Sequence, residues 1–299
     1  MDMTQLSITT DYVSSTGSPE QPVRLIGEAG FTHLHWCHHF TGDFAYMPCE
    51  IDAIRRLMAA NNVKLLDVHG SSGEEKCWWS FDETQRLAGV ELVKNRCLML
   101  KELGGPGHVI MHIPACTVTR SDEDNDRQRK CFAQVLKSLD ELVPWLEKEG
   151  VRIALENTFN DTWETIEAAL SRYPASVVNF CYDSGHGNVL AGSEEKQLPL
   201  LKKNRNRLGA LHLNDNDGVH DLHQPPFMGT VDWQALADII KDSSYRGPLS
   251  YEITMRHTPF TFIDPETQKP GLQPEANQKA YLADAHERCE RFAKMVGEL

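Results

Sequence analysis

Six short apolar runs in this 299-residue sequence each carry, at or near the end, a side chain able to bind a cation. VKLLDVHG (63–70) carries His69, HVIMHIP (108–114) His112 and VRIALENT (151–158) Glu156. VVNFCYD (177–183) ends on Asp183 with His186 just beyond, LGALHLND (208–215) holds His212, and PLSYEIT (248–254) holds Glu252. Singly, each has a plain reading: a histidine bonded to a carbonyl, or a glutamate turned outward. Together they point elsewhere. Both glutamates stand among apolar residues, where an unpaired carboxylate is costly, and a buried carboxylate calls for a cation. Glu156, Asp183, His212 and Glu252 make a hard, mainly oxygen-donor set that can surround one ion. Mn²⁺, Mg²⁺, Co²⁺ and Zn²⁺ all suit it, and ligand type alone does not choose among them.

A further pattern lies close behind LGALHLND. The stretch HDLHQPPFMGTVDW (220–233) contains an Asp-x-His pair, Asp221 and His223, followed by two prolines. The pair is either a further set of ligands or a loop Asp and His bonded to backbone, and spacing leaves both open.

The elements that position these residues repeat one alternation. With QLSITT (5–10) and FTHLHW (31–36) there are eight β-rich apolar runs, nearly continuous in hydrophobicity, as strands buried on both faces should be. Amphipathic segments fill the gaps. Ile51, Ile54, Leu57 and Met58 keep helical spacing in residues 48–62. The segment 82–105 stops on a glycine pair. Residues 126–150 stop on Gly150 and contain Pro144, which predicts a kink. Asp232 is placed to cap the helix after it, and the C-terminal segment from Pro274 reads as a long helix. Eight strands, each followed by a helix, predict an α/β protein with a single (β/α)8 TIM barrel over residues 1–299. In such a barrel the active site lies at the C-terminal ends of the strands, where the six ligand types converge. The Pro- and Thr-rich loop 258–275 follows the last strand and is placed to cover that mouth.

Composition excludes some partners. The net charge is −13 and no dense basic block exists, which argues against nucleic acid. The nearest candidate, KKNRNR (202–207), reads as the solvated face of a helix. No apolar run reaches membrane-spanning length and the N-terminus has no signal-peptide pattern, so a cytoplasmic protein without membrane contact is expected. Eight cysteines without a C-x-x-C pair read as free thiols.

LENT (155–158), YDSGHGN (182–188), HLND (212–215), DLHQPPFMGTVDW (221–233) and YEI (251–253) resemble the xylose-isomerase-like TIM-barrel superfamily. It includes sugar phosphate isomerases and epimerases, ketose 3-epimerases, inosose-processing enzymes and endonuclease IV. The resemblance spans nearly the whole chain. It implies one ion held by Glu156, Asp183, His212 and Glu252, with His186 touching substrate, as in the epimerases. The endonuclease IV pattern instead implies three ions. His69, His112 and Glu156 would hold the first; Glu156, Asp183, His212 and Glu252 the second; His186, Asp221 and His223 the third.

The resemblance implies a divalent-metal-dependent isomerase or epimerase acting on a small-molecule sugar or sugar derivative through a metal-stabilised enediolate. Glu156 and Glu252 would be the catalytic acid–base pair, and a homo-oligomer is implied by analogy. A multinuclear phosphoester hydrolase is the first alternative; a metal-dependent sugar lyase or dehydratase is the second. Arg256, four residues past Glu252, is placed either to bind a distal hydroxyl, carboxylate or phosphate or to lie on the surface. In THLHWCHHF (32–40), His35 or His38 could bond substrate hydroxyls and Trp36 could stack on a sugar; the alternative is barrel packing. Cys37 and His38 have no metal-ligand spacing. Trp78 and Trp79 predict a stacking surface or a subunit contact.

Overall fold

The computed structural model describes residues 5–71, 73, 75–114, 122–158, 163–189 and 197–297, with backbone alone for 122–125 and 128. Eight parallel strands form: β1 (Leu6–Thr9), β2 (His33–Trp36), β3 (Lys64–His69), β4 (Val109–Met111), β5 (Ile153–Glu156), β6 (Val178–Asp183), β7 (Leu208–His212) and β8 (Leu249–Tyr251). Hydrogen bonding runs in the order β7-β6-β5-β4-β3-β2-β1-β8. At the β7/β8 seam the amide of Leu213, one residue past β7, bonds Ser250 O at 2.9 Å. The sheet is thus a nearly closed TIM barrel.

Among the described residues eight α-helices alternate with the strands: α1 (Glu20–Glu28), α2 (Pro48–Ala60), α3 (Glu83–Glu102), α4 (Asp122–Glu149), α5 (Trp163–Arg172), α6 (Leu198–Asn204), α7 (Trp233–Lys241) and α8 (Glu275–Val296). Their ends follow local chemistry. Asp82 accepts from Gln85 N at 2.9 Å and starts α3; Asp232 accepts from Ala235 N at 3.0 Å and starts α7. Gly104 (φ +73°) and Gly150 (φ +68°) lie beyond the ends of α3 and α4 in a conformation that favours glycine. Pro144 lies inside α4, which continues past it. No described helix is long and apolar enough to cross a membrane.

Side chains alternate across each strand. The outward set joins the helices in one large core. A separate buried cluster, Ile110, Ala154, Cys181 and Ala210, lies on the inward face. Each is two residues before a candidate ligand: His112, Glu156, Asp183 and His212. The candidate ligands are therefore the uppermost layer of the barrel filling, resting on a layer of smaller side chains.

Three surface segments are tied into the fold. In KKNRNR the lysines are exposed, but Arg207 donates to Leu170 O, Tyr173 O and Val178 O at 2.6, 3.1 and 2.7 Å, which ties β6 to the end of α5. The loop 258–275 folds on itself through an Ile263–Pro270 bridge and leans on α8, where Phe260 lies 6.2 Å from the Tyr281 ring. Trp78 is buried, and its indole N–H donates to His112 O at 3.2 Å; it supports a site residue from behind and presents no stacking face. Seven cysteines are free thiols; Cys116 lies outside the described residues.

Candidate metal centre at the barrel mouth

His69, Glu156, Asp183 and His212 are the last residues of their strands, and His112 and Glu252 each follow a strand by one residue. Asp183 is paired directly with His212, while Glu156 is paired with Cys181, two residues before Asp183, so the ends gather with a stagger of two. The result is a compact quartet. Ligand atoms from Glu156, Asp183, His212 and Glu252 all lie within 4.8 Å of one another, and all four residues are buried. His212 Nδ1 sits between the two glutamates, 3.0 Å from Glu156 Oε1 and 3.1 Å from Glu252 Oε2. Two trios adjoin it. His112 Nε2 is 3.3 Å and His69 Nε2 3.9 Å from Glu156 Oε2. Asp221 Oδ2 is 3.3 Å from His186 Nε2 and 3.2 Å from His223 Nε2.

A set of amides orients the quartet. Asn157, next to Glu156, accepts from Asp183 N at 2.8 Å, donates to Asp183 O at 3.0 Å, and accepts through its carbonyl from His186 Nδ1 at 3.0 Å. Asn214 donates to Asp183 Oδ2 at 2.8 Å. Asp215 then fixes the loop beyond. It accepts from Val231 N at 3.0 Å and from the Trp233 indole at 2.9 Å, and it exchanges backbone bonds with Gln224. Gly229 is needed because a Cβ there would stand 2.0 Å from Asn216 O. This loop carries Asp221 and His223. His223 is held at φ +46°, a costly conformation for a residue with a Cβ. Its Nδ1 donates to Glu252 O at 3.0 Å and its carbonyl accepts from Thr254 N at 2.8 Å. Such strain, kept by surrounding bonds, is typical of functional positions.

Burial raises the carboxyls of Glu156 and Glu252, yet nearby histidines, His212 foremost, outweigh it and hold both well below the usual range. Burial raises Asp183 to about 6 against the pull of His186 and His223. Burial alone would lower His212 and His186. Cys181, Glu252 and Glu156 beside the first, and Asp183 and Asp221 beside the second, lift both well above the usual range. His223 rises to about 10 despite burial, chiefly through Asp221. The surrounding carboxylates thus favour positive charge on these imidazoles. His69 is the exception: burial and His112 hold it down to about 3. Its Nε2 and Glu156 Oε2 are buried without hydrogen-bond partners. Orphaned polar atoms among hard donors fit a divalent cation.

Three other candidates fall differently. His35 is fully buried beneath the mouth, its Nδ1 2.7 Å from Asp67 Oδ1 and its ring 4.4 Å from His212. Trp36 is 1% exposed and donates to Tyr46 Oη at 2.8 Å; its position matches barrel packing, since its faces are covered. Arg256 is exposed on the loop after Glu252. Sequence reasoning missed Asp67, Asn157, Asn214 and Phe40. Phe40 packs its ring 4.2 Å from His69 and 6.2 Å from His112, an apolar cover over that side. Asp67 had a signal: it shares the inward face with His69 and stands between the apolar Leu66 and Val68.

The sequence matches the xylose isomerase-like TIM barrel family over residues 23–284. An uncharacterized protein, y4fM, of Sinorhizobium fredii (strain NBRC 101917 / NGR234) is 32% identical over 253 residues, 77% of this chain and 79% of that protein. The 3-dehydro-D-guloside 4-epimerase of Escherichia coli (strain K12) is 27% identical over 221 residues, 69% of this chain and 79% of the enzyme. Among solved structures, a D-tagatose 3-epimerase-like protein superposes with a TM-score of 0.71 at 18% identity, covering 98% of each chain. The apo form of the 3-keto-D-glucoside 4-epimerase YcjR of E. coli gives a TM-score of 0.66 at 17% identity, covering 97% of this chain and 100% of that one. The two structures share the fold, and the sequence match spans most of the barrel: the chain belongs to the xylose isomerase-like TIM barrel family.

Proposed function

We propose that this protein is an enzyme that isomerises or epimerises a small sugar or sugar derivative, with Glu156, Asp183, His212 and Glu252 holding one divalent ion. The observation that carries the reading is the pair of glutamates meeting at His212 Nδ1, 3.0 and 3.1 Å away. Two carboxylates on either side of one point can handle one carbon between them. The sugar epimerases among its relatives and structural neighbours support the same reading. A bound divalent ion supplies Lewis-acid polarisation of a sugar carbonyl and charge to offset an enediolate.

The residues of the chain do the rest. Glu156 and Glu252 are held ionised by their histidines, the state a proton-abstracting base requires. One takes the proton from carbon and later releases it to solvent; the other, once protonated from solvent, delivers its proton on the opposite face, giving epimerisation. One acting alone returns it to the neighbouring carbon while the hydroxyl proton passes to the former carbonyl oxygen, giving isomerisation. His186, its Nδ1 fixed by Asn157 O, turns Nε2 toward Asp221 and the mouth, where it can bond a substrate hydroxyl. Phe40 shields the His69 side from water.

A second reading also has an observation behind it. His69, His112 and Glu156 form one ligand-spaced trio, and His186, Asp221 and His223 form another. Filled together with the quartet, they would suit a three-ion phosphoester hydrolase, though the net charge of −13 disfavours a nucleic acid substrate.

The deciding experiment is incubation of candidate ketoses in D₂O with metal-loaded protein. Deuterium entering carbon without loss of a substituent supports isomerase or epimerase chemistry. Loss of a substituent supports a lyase, and cleavage of an abasic-site duplex overturns the ranking.

A further inference from the structure

The end of β2 aims a different donor set at the mouth. His35 and Cys37 stand two residues apart, hence on one face, and both are fully buried. A ring nitrogen of His35, the Cys37 sulfur and a carboxylate oxygen of Glu252 lie within 4.8 Å of one another. Asp67 grips the other side of the imidazole, its Oδ1 2.7 Å from Nδ1. The His35 Nε2 is shut away from solvent and has no hydrogen-bond partner. A metal-binding histidine is commonly built this way: one nitrogen donates to a carboxylate, which fixes the tautomer, and the other stays bare for the ion.

Glu252 divides its oxygens between two directions. Oε2 lies 3.1 Å from His212 in the quartet, while Oε1 lies 4.0 Å from the Cys37 sulfur. We propose that His35, Cys37 and Glu252 form a second metal site, selective for a borderline-soft divalent cation of the zinc or cobalt(II) class, with Glu252 bridging to the quartet. One sulfur, one imidazole nitrogen and one carboxylate oxygen are a zinc-type donor set, three protein ligands with a fourth position left over. Hard ions such as Mg²⁺ and Mn²⁺ prefer the oxygen-rich quartet and leave the thiol alone. On binding, the sulfur loses its proton to solvent and gains the bond to the ion; no electron is transferred.

Chelator-treated protein titrated with Co²⁺ tests this without any substrate. Thiolate-to-cobalt charge transfer absorbs strongly in the near ultraviolet, whereas oxygen and imidazole donors give weak visible bands alone. The expected result is a near-ultraviolet band in the wild type and its loss in Cys37→Ser, together with one equivalent of bound Co²⁺. Mn²⁺ stoichiometry, read by electron paramagnetic resonance, should be the same in both. Asp67→Asn should require about 10–100-fold more Co²⁺ to develop the band, the usual effect of removing a carboxylate behind a ligating histidine. Should Cys37→Ser fail to fold, the wild-type spectrum and Asp67→Asn carry the test. Visible bands without a near-ultraviolet band, or a band that survives in Cys37→Ser, overturn this site and leave the quartet reading standing. Failure to bind Co²⁺ at all overturns both.

Discussion

Replacing Gly185 with alanine should dismantle the quartet's support without changing any charge. Gly185 lies between Asp183 and His186, and a Cβ there would stand 1.8 Å from Asn214 Oδ1 and 3.1 Å from Asn216 Nδ2. Real Cβ contacts essentially never fall below 3.0 Å, so the Asn214 amide must retreat by more than 1 Å. It cannot do so and keep its 2.8 Å bond to Asp183 Oδ2. Overpacking costs about 1–3 kcal/mol, and a lost bond to a charged group about 1.5–3 kcal/mol. The two share one displacement, so a total of about 3 kcal/mol is expected, or a melting temperature lower by roughly 5 °C in a chain of this size. Freed from Asn214, the Asp183 carboxylate turns, and Mn²⁺ affinity should fall about 10–100-fold. Thermal denaturation of the metal-free protein and Mn²⁺ titration followed by electron paramagnetic resonance read the two effects separately. A Gly185→Ala protein with wild-type melting temperature and wild-type Mn²⁺ affinity would refute the argument.

Four other outcomes are expected. Glu156→Gln and Glu252→Gln should each lower turnover of the responsive ketose about 10²–10⁴-fold, the worth of a positioned acid or base, measured as deuterium incorporation from D₂O. Asp221→Ala and His223→Ala should leave the count of tightly bound ions unchanged if one ion serves the site and lower it by one if three do, read by elemental analysis. Mn²⁺ at about one hundred times its Kd should stabilise the fold by about 2.7 kcal/mol, and a chelator should reverse the rise in melting temperature. Burial, then Arg152, holds His108 down to about 3, below the usual 6.5, and it stays neutral in the fold with Nε2 accepting from Asn179. The unfolded chain binds that proton first, so this stability is present above pH 6.5 and is lost as pH falls toward 3. In urea titrations across that window, His108→Gln should remove up to one proton's slope, about 1.4 kcal/mol per pH unit; parallel wild-type and variant curves would count against it.

The barrel was legible because strands buried on both faces read as continuous apolar runs, so the polar exceptions stand out. His69, Glu156, Asp183 and His212 close their strands, and His112 and Glu252 follow theirs directly. Less visible were contacts that depend on neighbouring strands. His35 reads as a mouth residue from its own segment, and the register that sets it against Asp67 of β3 takes it inside. Trp36 looks free to stack until Tyr46, ten residues on, turns out to hold its indole. Asn157 and Asn214 are common polar residues with no spacing of their own. Their meaning comes from the bonds that lead from each to Asp183.

Among the described residues, β7 and β8 share no ladder, and the Leu213 amide spans the gap to Ser250. His212 and Glu252 face each other across that same gap, 3.1 Å apart. An ion gripped by both would act as a clasp on the cylinder. Its departure and the parting of the two staves become a single event, so chelation should hasten hydrogen–deuterium exchange at Leu213 ahead of amides elsewhere in the wall.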